Sequence, residues 1–134
     1  MSIPKICALL ENRLQALTPA MPTAFENTAY QPAAGVTYQR ADHLINNPVD
    51  RAITLDILEW RGIFQVMVCA PLGAGRGAAQ ARAQLIADHF APPQRLTGTG
   101  VYVELLKTPA IASGFKADDR WCVPVSISWS AFRT

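Results

Sequence analysis

The stretch from Trp60 to Ala70 constrains the fold more than any other part of the chain. In an extended strand its side chains alternate between two faces, one with Phe64, Val66 and Val68 and the other with Ile63, Gln65, Met67 and Cys69. Both faces are largely apolar, which is typical of a central strand covered on two sides. Pro71 ends this strand, and the glycine-rich segment Gly73–Gly77 leads into an alanine-rich helix.

The remaining periodic segments complete one domain, since 134 residues are close to the commonest domain size. Apolar spacings of three and four predict helices over 2–17 and 76–90, and alternating or apolar runs predict strands over 23–30, 38–45, 60–70, 101–107 and 120–132. The predicted order is α-β-β-β-α-β-β. Two helices packed on a mostly antiparallel β-sheet give the α+β class.

Two segments lack periodicity and are expected to be loops that project from the body. They are Asn46–Asp56, which contains Asn-Asn-Pro, and Thr108–Asp119. Loops of this kind often become ordered only when subunits assemble. We therefore expect 46–56 and 110–118 to be mobile in the isolated subunit.

The charge distribution argues against direct recognition of nucleic acid. The net charge is +2, and the basic residues are scattered along the chain instead of forming the clustered patch that nucleic-acid binders show. Charged residues make up only 16% of the chain, which fits a surface partly covered by partner subunits. No run approaches the roughly 18 apolar residues that span a bilayer, and no targeting segment is evident.

The cysteines and histidines do not form a pattern typical of a cofactor or metal site. The chain has an odd number of cysteines, namely Cys7, Cys69 and Cys122. Each lies in an apolar sequence context, which predicts reduced thiols in a cytosolic protein. A zinc site needs several Cys or His at short spacings. His43 and His89 are isolated, and we expect both at the surface or at its rim.

The glycine-rich segment is the only motif that suggests a ligand. Gly73–Ala78 fits G-x-G-x-x-[GA], follows a strand and opens a helix, as a dinucleotide fingerprint does. However, Pro71 and Leu72 separate the strand from the first glycine, and the chain has too few β-α units. A plain strand-to-helix turn is therefore the favoured interpretation, and a small nucleotide-binding protein is kept as an alternative.

No catalytic set is predicted, so the chain is expected not to be an enzyme. The paired carboxylates Asp118 and Asp119 lie on a predicted loop, where a solvated turn or contact with a partner's arginine is favoured over acid–base chemistry. No cysteine has the accessible, electropositive setting of a nucleophile. The residues expected to contact other subunits or partners are Arg51, Arg76, Asp118 and Asp119.

Several short stretches, distributed over most of the chain, are similar to one protein family. They are Pro22-Thr-Ala-Phe-Glu-Asn27, Tyr38-Gln-Arg40, Gly62-Ile-Phe-Gln-Val66, Pro71-Leu-Gly-Ala-Gly75 and Asp119-Arg-Trp-Cys-Val-Pro-Val-Ser-Ile127. In combination they resemble the small tail-terminator-like proteins of tailed phages and prophages. The resemblance covers a single domain over 1–134 and carries over no catalytic residue.

This resemblance implies a structural role, without a cofactor, in building a phage tail. Proteins of this kind form rings, expected here to be hexameric, that bind the end of the tail tube and stop its polymerisation. They then present a surface to head-completion proteins, so the implied partners are other copies of the chain, the tail-tube protein and a head-completion protein. The implied locations are the bacterial host cytoplasm during assembly and then the virion tail. A head–tail joining role in the neck remains an alternative.

Overall fold

The computed structural model describes residues 3–50 and 58–133. Over these residues lie two helices and nine strands that belong to one sheet. The elements are α1 (Ile3–Gln15), β1 (Thr23–Ala24), β2 (Tyr38–Ile45), β3 (Val49–Asp50), β4 (Leu58–Pro71), α2 (Gly77–His89), β5 (Gln94–Gly98), β6 (Val101–Leu105), β7 (Ala110–Ile111), β8 (Phe115–Ala117) and β9 (Arg120–Arg133). No helix in these ranges is long and apolar enough to cross a membrane.

The sheet is built around the antiparallel pair of its two longest strands, β4 and β9. Its main path runs β1-β2-β4-β9-β6-β5, while β3 pairs with β4, and β7 and β8 pair with β9. Every pairing is antiparallel except the short one between β1 and β2. The predicted α+β class, with two helices on a mostly antiparallel sheet, is confirmed.

Both helices pack on one face of this sheet and bury the core between them. The core face of β4 carries Phe64, Val66 and Val68, which pair with Ile127, Val125 and Val123 of β9. Helix α1 buries Ile6, Leu10 and Leu14, and α2 buries Ala79, Ala83 and Ile86. Their spacings of three and four place these side chains on one helical face.

In the described part of the chain, no helix packs on the opposite face of the sheet, which corrects one expectation about β4. Ile63, Gln65 and Met67 are only half-buried there, whereas the apolar pattern predicted cover on both sides. Part of this face is covered by a segment that Arg120 holds in place. Its guanidinium donates hydrogen bonds to the carbonyl oxygens of Val36 and Ala33, and this holds the 31–37 segment against the start of β9.

The element order differs from the predicted α-β-β-β-α-β-β because several strands are very short. Residues 108–119 were expected to project as a loop, but β7 and β8 pair with β9 within that segment. The strand predicted over 23–30 is limited to Thr23–Ala24, and β3 and β5 were not predicted. Strands of two to five residues show too little alternation to be detected, and their pairing partners stabilise them.

The cysteine prediction is corrected in the same central pair of strands. Cys69 of β4 lies directly opposite Cys122 of β9, and the two form a disulfide, so they are not the reduced thiols that were expected. Both residues are buried. They are 53 positions apart in sequence, so only the strand register brings them together. Cys7 is the free cysteine in the described part of the chain.

Candidate assembly surfaces

Three of the expected contact residues lie together at one end of the molecule. The turn from β4 to α2 meets the turn from β8 to β9, where the Leu72 amide donates a hydrogen bond to the Asp119 carbonyl oxygen at 3.4 Å. Arg76, Asp118 and Asp119 are all exposed there. We call these three residues the turn end. Arg51, the fourth expected residue, lies outside the described residues.

The acidic pair at the turn end projects without a partner of its own. Asp118 has φ 54°, in the left-handed region that aspartate tolerates better than most residues. Within 3–50 and 58–133, the carboxylates of Asp118 and Asp119 make no hydrogen bond or ion pair. Two adjacent carboxylates are therefore available to a partner's cation.

The glycine-rich segment forms one wall of a cavity at the same end. Gly73 and Gly75 have φ +84° and +79°, a conformation that favours glycine and lets the chain reverse into α2. The cavity, of about 400 Å³, is lined by Leu72, Gly73, Gly75, Arg76 and Trp121. The buried Trp121 Nε1 has no hydrogen-bond partner among the described residues.

This geometry gives the nucleotide-binding alternative no support. A dinucleotide site needs a helix that connects two parallel strands. Here α2 connects β4 to β5, and β4, β9, β6 and β5 alternate in direction along the sheet, so β4 and β5 are antiparallel. Besides the two glycines, the cavity is lined by Leu72, Arg76 and Trp121. Gly73–Gly77 acts as the joint between β4 and α2.

The other end of the β4–β9 pair exposes three large apolar side chains. Leu44, Ile45 and Leu106 are 51%, 42% and 67% exposed, and we call these three residues the hairpin end. Leu44 and Ile45 pair with Ile63 and Gly62, near the start of β4. Nine residues of extended strand, or about 30 Å, separate Gly62 from Pro71 at the turn end. The two ends thus carry different exposed side chains, although Leu72 is also exposed at the turn end, and Arg61 and Lys107 lie beside Leu106 at the hairpin end.

The two histidines hold the helices in place, and the surface prediction is wrong for His43. The His43 side chain is 4% exposed, stacks on Phe64 with ring centroids 4.9 Å apart, and bonds through Nε2 to the Glu11 carboxylate at 2.7 Å. Nε2 of His89 donates to the Arg13 carbonyl oxygen at 2.7 Å, and Arg13 donates back to the His89 carbonyl oxygen. Burial, above all, lowers the pKa of His89.

The free cysteine is poorly suited to nucleophilic chemistry. Burial first, and then the nearby carboxylates of Glu11 and Glu26, raise the pKa of the Cys7 thiol to about 11. At neutral pH the thiol is protonated, and the protonated form is not the nucleophile. No group of three or more His, Cys, Asp or Glu that could hold a metal ion occurs in the part of the chain that the structure describes.

One charged residue that the sequence analysis did not single out is buried. Arg82 of α2 is 4% exposed and lines a cavity between the helices and the β1–β2 edge of the sheet. A hint is present in the sequence, because Arg82 follows Ala79 by three residues and precedes Ile86 by four. That spacing places it on the apolar face of the helix.

One comparison with known proteins identifies a family for this chain, and another finds a similar fold. The family model described as phage tail terminator protein matches residues 5–129. One solved structure is similar over 100% of this chain and 96% of its own, with 29% sequence identity and a TM-score of 0.78. No curated protein is significantly similar to the chain.

Proposed function

Because the chain belongs to the phage tail terminator protein family, we propose that it caps the end of the tail tube and stops tube polymerisation. The family match over residues 5–129 is the observation that carries this proposal. Membership assigns the chain a structural role in phage tail assembly and a location in the virion tail. The family is structural, so no catalytic step is proposed. More specifically, the subunits are proposed to form a ring, expected to be a hexamer, and this ring also prepares the tail for the head-completion protein.

The different groups of side chains exposed at the two ends of the subunit support a cap that connects two partners. A terminator must bind the tube on one side and a different component on the other. The turn end offers Arg76 and the free Asp118 and Asp119 carboxylates, whereas the hairpin end offers exposed Leu44 and Leu106. Exposed apolar clusters often mark protein–protein contacts, and charged rims set the choice of partner. The two ends can therefore bind different proteins.

The two edges of the sheet support closure of the subunits into a ring. A ring is built from heterologous contacts, in which each subunit contributes two different complementary surfaces. The two edges of the sheet differ: the short strand β1, next to β2, forms one edge, and β5 forms the other. Assembly is proposed to take place in the bacterial host cytoplasm. Disulfides persist in oxidising surroundings, so the Cys69–Cys122 bond is expected mainly in the released virion.

Polymerisation of the purified tail-tube protein, with and without this protein, tests the cap. Negative-stain microscopy is expected to show shorter tubes with extra density at one end. Tube lengths that do not change, together with bare tube ends, would contradict capping. Binding to a head-completion protein without any effect on tubes would instead support the neck role.

Substitutions at the two ends then separate their roles. The double variant Asp118→Lys, Asp119→Lys is expected to abolish binding to one partner. The double variant Leu44→Ser, Leu106→Ser is expected to abolish binding to the other. Asn12→Asp changes the charge of an exposed position on α1, outside both groups of end residues, and serves as a control. If both end variants bind both partners normally, the assignment of partners to the two ends is wrong.

A further inference from the structure

Arg82 is a buried cation that no described carboxylate neutralises. Its Nε donates to Gln39 Oε1 at 3.3 Å, and Nη1 donates to the Pro19 carbonyl oxygen at 2.5 Å, so both acceptors are neutral. None of the ion pairs within 3–50 and 58–133 includes Arg82, and its Nη2 makes no hydrogen bond there. Burial lowers the pKa of Arg82, but arginine stays charged in proteins.

The cavity next to Arg82 is large enough for a small ligand. Its volume is about 280 Å³, whereas one water occupies roughly 30 Å³ of the liquid. One part of the cavity wall is apolar and is formed by Leu14, Leu17, Met21 and Phe25. The other part is polar and is formed by Gln15, Thr23, Gln39 and Arg82. This combination suits a ligand with a charged group on a short carbon body.

A chain of hydrogen bonds holds Arg82 in position at the cavity. The Thr23 hydroxyl donates to the Met21 carbonyl oxygen, and Gln39 Nε2 donates to Thr23 Oγ1 at 3.0 Å. These bonds orient the Gln39 amide so that its oxygen accepts from Arg82. The polar groups of Thr23 and Gln39 are thus already engaged, and the donors left for a ligand are those of the guanidinium and of the Gln15 amide.

We propose that this cavity is a carboxylate-binding site in which Arg82 supplies the charge and the hydrogen bonds. A guanidinium presents parallel N–H groups that match the two oxygens of a carboxylate. A buried charge without a counter-charge is costly, and a bound carboxylate removes that cost. The apolar wall packs against the carbon atoms next to the carboxylate. The site goes beyond the proposed function and does not depend on it.

The carboxylate has two possible sources, a small free molecule or an aspartate of a second copy. Asp118 and Asp119 are exposed and unpaired, but they lie beside Met67 on the face of the sheet opposite to the helices. Arg82 lies on the helical face, so the acidic turn of the same chain does not reach it. The second-copy source alone rests on the proposed ring.

Titration of the full-length protein with acetate, against chloride at equal ionic strength, tests the site. Nuclear magnetic resonance is expected to show a saturable shift of the Arg82 Nε–Hε signal. The Arg82 charge contributes to lowering the pKa of His89, so bound acetate is expected to raise that pKa. A wild-type protein that responds to acetate as it does to chloride would overturn the proposal.

Matched arginine variants separate specific binding from general effects. Arg82→Gln is expected to weaken acetate binding at least tenfold, whereas the control Arg133→Gln, at an exposed position of β9, retains it. If Arg82→Gln fails to fold, Arg82→Lys preserves the charge without the planar fork, and the same loss of affinity is expected. Equal acetate binding by the Arg82 variants and the control would refute the site.

Self-association, measured by sedimentation, distinguishes the two sources. If the carboxylate comes from a second copy, both Arg82→Gln and the double variant Asp118→Asn, Asp119→Asn lose association. A mixture of these two variants then forms dimers but nothing larger. The intact Arg82 of one variant can bind the intact aspartates of the other, but the opposite contact has been removed from both. If acetate binds at Arg82 and association is unaffected by either variant, the source is a small free carboxylate. Failure of tube capping would leave the acetate result unchanged.

Discussion

Replacing Gly62 with alanine is expected to destabilise the protein strongly, because this glycine lies where two strands and a tryptophan meet. A Cβ at this position would lie 2.6 Å from Trp129 Cζ2 and 2.7 Å from the Leu44 carbonyl oxygen. Normal carbon contacts are near 3.5–4.0 Å. Trp129 is 3% exposed, and the Leu44 oxygen belongs to the backbone of the paired strand β2. Neither neighbour can move without disturbing the core.

The size of the effect follows from two opposing contributions. Overpacking a core costs about 1–3 kcal/mol, and the upper part of this range applies because backbone is involved. Replacing glycine in the interior of a strand otherwise stabilises by about 0.5–1 kcal/mol. The net expectation for Gly62→Ala is a loss of about 2 kcal/mol in the free energy of unfolding. For a domain of this size that corresponds to a decrease in Tm of roughly 6–10 °C.

Urea unfolding, followed by circular dichroism and tryptophan fluorescence, measures this loss. The control is Gly77→Ala at the start of α2, where an added Cβ meets nothing within 4 Å and the same chemical change should leave stability equal or slightly higher. In a Trp129→Phe background the cost of Gly62→Ala is expected to fall, because the clashing ring is smaller. A Gly62→Ala protein as stable as the wild type would refute the packing argument.

Three further predictions concern pH, redox state and local order. His89 has a lowered pKa in the folded state, so its contribution to stability is complete above the unfolded value of about 6.5 and is lost as pH falls below that value and through the folded-state pKa. Urea unfolding between pH 7 and 5 should therefore show a shallower loss of stability for His89→Gln. Thiol titration of the denatured, unreduced protein should find one free thiol, Cys7. Replacing both Cys69 and Cys122 by alanine should lower the free energy of unfolding by up to about 4 kcal/mol, because the disulfide closes a loop of 53 residues. Because β7 and β8 pair with β9, hydrogen exchange should find the amides of 110–117 that face β9 protected, contrary to the mobility expected from sequence; exchange as fast as in an exposed loop would contradict these pairings.

The long elements could be predicted because each carries its own periodicity. The steps of four in α1, the apolar run in β4 and the alternation in β9 repeat often enough to indicate both the element and its inner face. Gly73–Gly77 was correctly interpreted as a turn. Of the expected contact residues, Arg76, Asp118 and Asp119 were placed on turns, and the structure shows that these turns lie at one end.

The remaining site features depend on neighbours that are distant in sequence. The sequence alone determined the α+β class, the central strand and the turn into α2, since these follow from local spacing. Only the tertiary structure decided that Cys69 faces Cys122, since this needs the register of β4 against β9. Only the tertiary structure decided that Arg82 is buried beside a cavity with no counter-charge from the residues described, since burial and neutralisation depend on which other elements lie close to it.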